Sequence, residues 1–158
     1  MDPVLREIER SYSRNLTRFV RLAHAIVGNR ESAEEVVHDA FAGAIRDRAD
    51  FRGSGPVDAW LWRIVVNAAR RSLRDRARDY ELEVDAVEAP PAPELEAVSP
   101  LVASLPERQR LVVFLRYYAD LDYRAIADVL GVTVGTVSAS LAAAHAHLRT
   151  ALEATAHG

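Results

Sequence analysis

The sequence predicts an all-α fold of two small helical modules joined by an acidic, Pro-rich linker, and three observations predict it. Apolar residues recur at helical spacing through both halves, and no strand-like alternation appears anywhere. Between the halves, Pro90, Pro91 and Pro93 crowd a stretch with acidic residues and no basic ones, a composition that favours an extended connection. A chain of 158 residues fits one domain or two modules of about 70 residues, and the linker favours two. The expected boundaries are a first module at 1–79, a linker at 80–99 and a second module at 100–158.

The first module reads as three helices. Asp2 caps the first and Pro3 suits its opening turn; Leu5, Ile8, Tyr12, Leu16, Phe19, Ala23, Ile26 and Val27 mark its apolar face up to Gly28. Ser32 and Glu35 have the spacing of a capping box for the second, whose apolar stripe is Ala33, Val36, Val37, Ala40, Phe41, Ala44 and Ile45. The stretch Phe51-Arg52-Gly53-Ser54-Gly55-Pro56 is a loop, after which Val57, Leu61, Ile64, Val65, Ala68 and Leu73 mark the third helix.

The second module also reads as helices. Leu111, Phe114, Leu115 and Tyr118 mark one, Ile126, Ala127 and Leu130 a short second, and Val134, Val137, Leu141, Leu148 and Leu152 a long last one. Asp122 can cap the short helix, Gly131 can end it in the left-handed conformation, and Thr133 can cap the next. Two helices joined tightly at Gly131-Val132-Thr133 have the pattern of a DNA-binding helix-turn-helix, with a plain helical hairpin as the alternative. In such a motif the second helix enters the major groove, and its candidates for contact are Thr133, Thr136, Ser138, Ser140 and His145. That helix holds no Arg before Arg149, so few phosphates can be neutralised and binding by this module alone should be weak. His145 and His147 lie two apart, do not share a helical face, and are expected exposed rather than as a metal pair.

Composition removes several chemistries. With 49% hydrophobic and 27% charged residues the chain has ordinary soluble composition. No Cys is present, which excludes a disulfide, Cys-ligated zinc, an iron–sulfur cluster and a thiol nucleophile. No metal and no cofactor is expected, nor any catalytic set, since no nucleophile and base cluster. No apolar run approaches the roughly 20 residues of a membrane helix, and the charged N-terminus is unlike a signal peptide, so a cytoplasmic protein without membrane insertion is expected.

The net charge of −3 hides segregation: residues 1–79 carry a net +3, residues 80–100 a net −6, and the remainder is neutral. All 20 basic residues are Arg, which suits planar contacts with phosphate or carboxylate and offers no lysine for Schiff-base chemistry. Glu31, Glu34, Glu35 and Asp39 crowd the start of the second helix, either as favourable charges at a helix N-terminus or as a docking face for a basic partner. From Asp58 to Arg78 the third helix sets Arg63, Arg70, Arg71, Arg74, Arg76 and Arg78 beside Trp60 and Trp62. Arginines can track phosphates while a flat ring or the Asn67 amide engages an unstacked base, as in single-strand binding. The alternative is one buried Trp and a solvated Arg face.

The segments SAEEVVHDAF, DFRGSGPVDAWLWRIVVNAARR and LPERQRLVVFLRYYADLDYRAIADVLGVTVGTVS, in this order and with a linker before the third, closely resemble a bacterial sigma factor of the extracytoplasmic-function (ECF) type in the sigma-70 family. The resemblance implies a promoter-specific initiation factor without an active site, with sigma region 2 at 1–79 and region 4 from about Pro100. It implies core RNA polymerase, promoter DNA and an anti-sigma factor as partners. By likeness, Glu34, Glu35, Asp39 and Phe41 match the part of region 2 that docks on the beta-prime clamp helices, Phe41 also suiting the core. Phe51, Arg52, Gly53 and Ser54 match the loop that receives a base flipped from the minus-10 element, Asn67 matches the polar residue that helps open the duplex there, and Trp60 is grouped with them as a minus-10 contact. Arg63, Arg70, Arg71 and Arg74 would hold phosphates, unless Arg63 has a structural partner, and region 4 would dock on the beta flap. One departure stands out: where the family usually carries basic residues in a pattern like GTVKSRL, this chain reads Gly135-Thr136-Val137-Ser138-Ala139-Ser140-Leu141. Weak minus-35 recognition is therefore expected, and the competing reading is a sigma-like adapter that binds polymerase or an anti-sigma protein without independent promoter recognition.

Overall fold

The Asp2 carboxylate accepts the backbone N–H of Val4 at 2.9 Å and Pro3 opens the helix, so α1 (Pro3–Val27) begins where its sequence dictates. In the computed structural model, which describes residues 2–53, 55–83 and 100–157, every regular element is helical. The end of α1 is equally local in origin: Gly28 takes the left-handed conformation (φ 90°) and its N–H bonds the carbonyl of His24 at 2.9 Å.

The second helix, α2 (Arg30–Arg46), corrects the expected capping box. Asn29, not Ser32, is the cap, because its side-chain oxygen accepts the Ser32 N–H at 2.8 Å and starts the helix ahead of Ser32. After α2 comes a 3-10 turn at Arg48–Asp50, then the loop from Phe51, then α3 (Val57–Glu83). This helix runs into the segment expected as linker, since Glu and Leu are good helix formers and no proline lies between Pro56 and Pro90. Residues 84–99, the rest of the expected linker, lie outside the described residues.

The three helices of this unit share one core. Phe19 and Leu22 of α1, Val37 of α2 and Leu61, Trp62, Val65 and Val66 of α3 are buried, and the rings of Phe19 and Trp62 lie 4.0 Å apart. Phe41 is 4% exposed and packs edge-on against Phe19 at 5.1 Å and Tyr12 at 5.0 Å. Burial of this order stabilises by about 1.5–3 kcal/mol for each large side chain. Arg76 donates to the carbonyl of Val27 at 3.2 Å, satisfying a carbonyl of the last turn of α1.

The second unit is built by the same rules. A short α4 (Pro100–Ala103) precedes α5 (Glu107–Val113), and Arg110 ties them by donating to the carbonyls of Ala103 at 3.3 Å and Leu105 at 3.4 Å. The helix then widens to π geometry over Phe114–Tyr118, with the Ala119 N–H bonded to the carbonyl of Phe114 at 3.1 Å. Next come α6 (Tyr123–Leu130) and α7 (Val134–Ala156), bent by 101° at the break between them. Asp122 caps α6 by accepting from Ala125, Gly131 ends it at φ 68°, and Thr133 caps α7 by accepting from Thr136, as expected. Leu111, Leu115, Ile126, Val137 and Leu141 form the core. Among the described residues no single helix is long and apolar enough to cross a membrane.

Candidate nucleic-acid interface

The helical period of about 100° per residue places Trp60, Arg63, Asn67, Arg70, Arg71, Arg74 and Arg78 within one arc of α3, opposite Leu61, Trp62, Val65 and Ala69. Burial agrees with the geometry. Arg63, Asn67, Arg71, Arg74 and Arg78 are exposed, whereas Trp60 and Arg70 are half-buried. Arg63, Arg71 and Arg74 have no ion pair among the described residues, so the structural partner considered for Arg63 is not found there. Arg70 is engaged within the protein. Of the two tryptophans, Trp62 fills the core and Trp60 lies at the edge of the basic stripe.

The loop meets that stripe at Trp60. Its first ring, Phe51, lies 5.3 Å from the Trp60 ring, and the Trp60 N–H bonds the carbonyl of Pro56 at 3.4 Å. Gly53 at φ 71° and Gly55 at φ 148° take backbone conformations that side chains resist, with open space around both. Arg52 is exposed, and Ser54 lies outside the described residues. Two aromatic rings, an exposed loop and a line of guanidinium groups are thus joined on adjacent elements. Such a surface offers stacking for an unpaired base and charge for the phosphates on one side of it.

On α2, Glu34, Glu35 and Asp39 are exposed along one face, with Glu34 paired to Arg30 at 3.0 Å. Phe41 does not join them: its ring is in the core, because position 41 falls on the buried stripe with Val37 and Ala44. Ile45, read from sequence as part of that stripe, is instead 39% exposed at the far end of the acidic face. A groove between α2 and α3 brings Glu35 and Asp39 together with Arg71, Ser72 and Asp75. The acidic and basic surfaces therefore meet along one edge, a juxtaposition across two helices that sequence spacing does not reveal.

In the second unit, the helix-turn-helix candidates divide. Thr133 and Thr136 are joined to each other, hydroxyl to hydroxyl, at 3.0 Å. Ser138 is exposed and Ser140 half-buried. His145 is exposed but bonded through Nε2 to the Tyr117 hydroxyl at 2.9 Å, and His147 is bonded to Gln109 at 2.7 Å. Opposite the buried Val137, Leu141 and Ala144, the outward face of α7 is centred on Ala139, Ala142 and Ala146, with Thr136 and Ser140 on one flank and Ser138 on the other. Its middle presents methyl groups where a charged DNA reader presents donors.

Comparison with known proteins agrees with this architecture. Residues 11–79 match the family Sigma-70 region 2, and residues 95–148 match Sigma-70, region 4. The chain is 30% identical over 156 aligned positions to the RNA polymerase sigma-H factor of Pseudomonas aeruginosa, covering 85% of this chain and 78% of that protein. It is 25% identical to the ECF RNA polymerase sigma factor SigW of Bacillus subtilis, covering 74% and 73% of the two chains. Among solved structures, CnrH in complex with the cytosolic domain of CnrY superposes with a TM-score of 0.72 at 26% identity, covering 95% of this chain and 90% of that one. The sigma factor RpoE bound to the anti-sigma factor NepR, from Bartonella quintana, shares the fold at a TM-score of 0.73 and 20% identity, over 92% and 96% of the chains. The two modules are those of a family of transcription initiation factors. The chain belongs to the ECF group of the sigma-70 family.

Proposed function

We propose that this chain is an alternative sigma factor that binds core RNA polymerase and directs promoter-specific initiation chiefly through its first module. The observation that carries this reading is the meeting of the Phe51–Trp60 ring pair with the exposed Arg stripe of α3. A base leaving the minus-10 duplex stacks against these rings, and the Asn67 amide, one turn beyond Arg63, lies beside its path. Arg63, Arg70, Arg71 and Arg74 hold the phosphates of the same strand, so part of the unstacking cost is offset by contacts that exist only in the opened DNA. Glu34, Glu35 and Asp39 face the beta-prime clamp helices.

Region 4 docks on the beta flap through its apolar surface and adds little at the minus-35 element, because the outward face of α7 carries no cation before Arg149. A protein partner that covers the polymerase-binding surfaces is part of the proposal; the solved relative CnrH was captured with the cytosolic domain of CnrY, which supports it.

The test is to combine the purified chain with bacterial core polymerase and genomic DNA and to map transcript 5′ ends against core alone. New discrete starts sharing an upstream minus-10 element are expected, with a poorly defined minus-35 sequence. Core binding without new starts would instead support the adapter reading, which the cation-poor α7 favours.

A further inference from the structure

Arg48 lies outside every segment that sequence pattern singled out, yet it fastens the start of the loop. Its Nε donates to Oδ2 of Asp2 at 2.7 Å, and its Nη1 donates to the carbonyl of Ile45 at 2.6 Å. Asp2 uses its other oxygen, Oδ1, to cap α1. One guanidinium thereby joins the C-terminal end of α2 to the N-terminal end of α1. The chain of contacts continues along the backbone. The carbonyl of Arg48 accepts the Phe51 N–H at 3.2 Å, and the Asp50 N–H bonds the carbonyl of Asp47 at 2.8 Å. Phe51 is the residue whose ring meets Trp60, and beyond it come Gly53 and Gly55, where an added Cβ would meet no atom. Glycines at positive φ impose little conformational restraint of their own at positions 53 and 55, so the direction in which the backbone leaves Phe51 depends on where Phe51 is held.

We propose that Asp2 and Arg48 are positioning residues that set the Phe51 ring against Trp60 and so fix the base-accepting geometry of the loop. This inference rests on the loop receiving an unpaired base, as in the function proposed above. The pair is not a major source of global stability: both side chains are 38% exposed, and ion pairs in contact with water add little to folding. Its effect belongs in discrimination, because a misplaced ring changes how one base is received while leaving the phosphate contacts of α3 in place.

The experiment uses the holoenzyme with the full chain as wild type, D2N, R48M and the double variant. Asn is as good a helix cap as Asp, so D2N removes the charge and keeps the cap. The probes are two single-stranded oligonucleotides carrying the mapped minus-10 element, one intact and one abasic at the position of the captured base. The ratio of their affinities isolates base capture. Each single variant should lower that ratio roughly threefold or more, and the double variant should lower it no further, as expected for two partners in one interaction. Affinity for core polymerase and the thermal midpoint should be unchanged. If R48M lowers the midpoint, D2N carries the test alone. A wild-type ratio of one would overturn the base-accepting reading itself. A wild-type preference that D2N retains in full, or a loss of affinity equal for both probes, would overturn the positioning role alone.

Discussion

Trp60 and Trp62 are two positions apart, hence about 200° apart around α3, and that rotation separates a core ring from a solvent-side ring. Trp62 is 2% exposed and in contact with Phe19. W62A should cost about 3–5 kcal/mol in denaturant unfolding of the full chain, the range for deleting a buried aromatic ring. W60A should leave that curve within about 1 kcal/mol and weaken single-stranded minus-10 binding by about 1–3 kcal/mol, the worth of one base–ring stack. Equal losses of stability in the two variants would contradict the division. Asp2 invites a second prediction at this scale. Its bond from Arg48, the Val4 N–H and the charge of Arg48 hold its carboxyl below the ordinary 3.8. The group is therefore ionised in the folded protein wherever it is ionised in the unfolded one, and its contribution is complete above that ordinary value. It is lost only as pH falls through the lowered value. The Phe51 amide should accordingly keep its hydrogen-exchange protection, corrected for intrinsic rate, between pH 7 and pH 5, and a loss in that window would argue against the ion pair.

The helix ends were legible in the sequence because they are local chemistry: Asp2, Gly28, Asp122, Gly131 and Thr133 act on groups within a few residues of themselves. What was not legible is what depends on a partner elsewhere. Asn29 and Ser32 are both good caps, and the direction of one side chain decided between them. Periodicity assigned Phe41 and Ile45 to one stripe, but only packing against α1 distinguishes the buried ring from the exposed edge. The π widening at Phe114–Tyr118 and the Arg48–Asp2 bond leave no pattern in nearby residues. Of the candidate site, the α3 stripe was readable from spacing, whereas its meeting with Phe51 and with the acidic groove was not. Two predictions concern single elements. At Gly131 the backbone is left-handed and an added Cβ meets no atom, so G131A should destabilise the second module by about 1 kcal/mol through backbone strain alone. Ser138 is exposed on α7, so S138R should raise minus-35 duplex affinity and steepen the salt dependence by about 0.9 per phosphate neutralised. An unchanged slope would show that this flank of α7 does not face DNA.

At the scale of the whole chain, charge is divided by segment: a net +3 over residues 1–79, a net −6 over residues 80–100, and neutrality beyond. Counterion release follows cations that touch phosphate rather than net charge, so the salt dependence of promoter binding should come from the first module. In holoenzyme bound to the single-stranded minus-10 element, R63Q, R71Q and R74Q should each lower the slope of log affinity against log salt by about 0.7, and the three together by about 2. R149Q, in the second module, should leave that slope unchanged. A control follows from composition. Every cation of the α3 stripe is Arg, whose charge persists throughout the working range, so the phosphate-binding charge of that stripe is insensitive to pH. Measured between pH 7 and pH 9, its contribution to the slope should stay constant, and the difference between wild type and the triple variant should be the same at every pH. A slope insensitive to the α3 substitutions would move DNA recognition away from the basic stripe, and a difference that varied with pH would place a titrating group among the phosphate contacts where the sequence has only arginine.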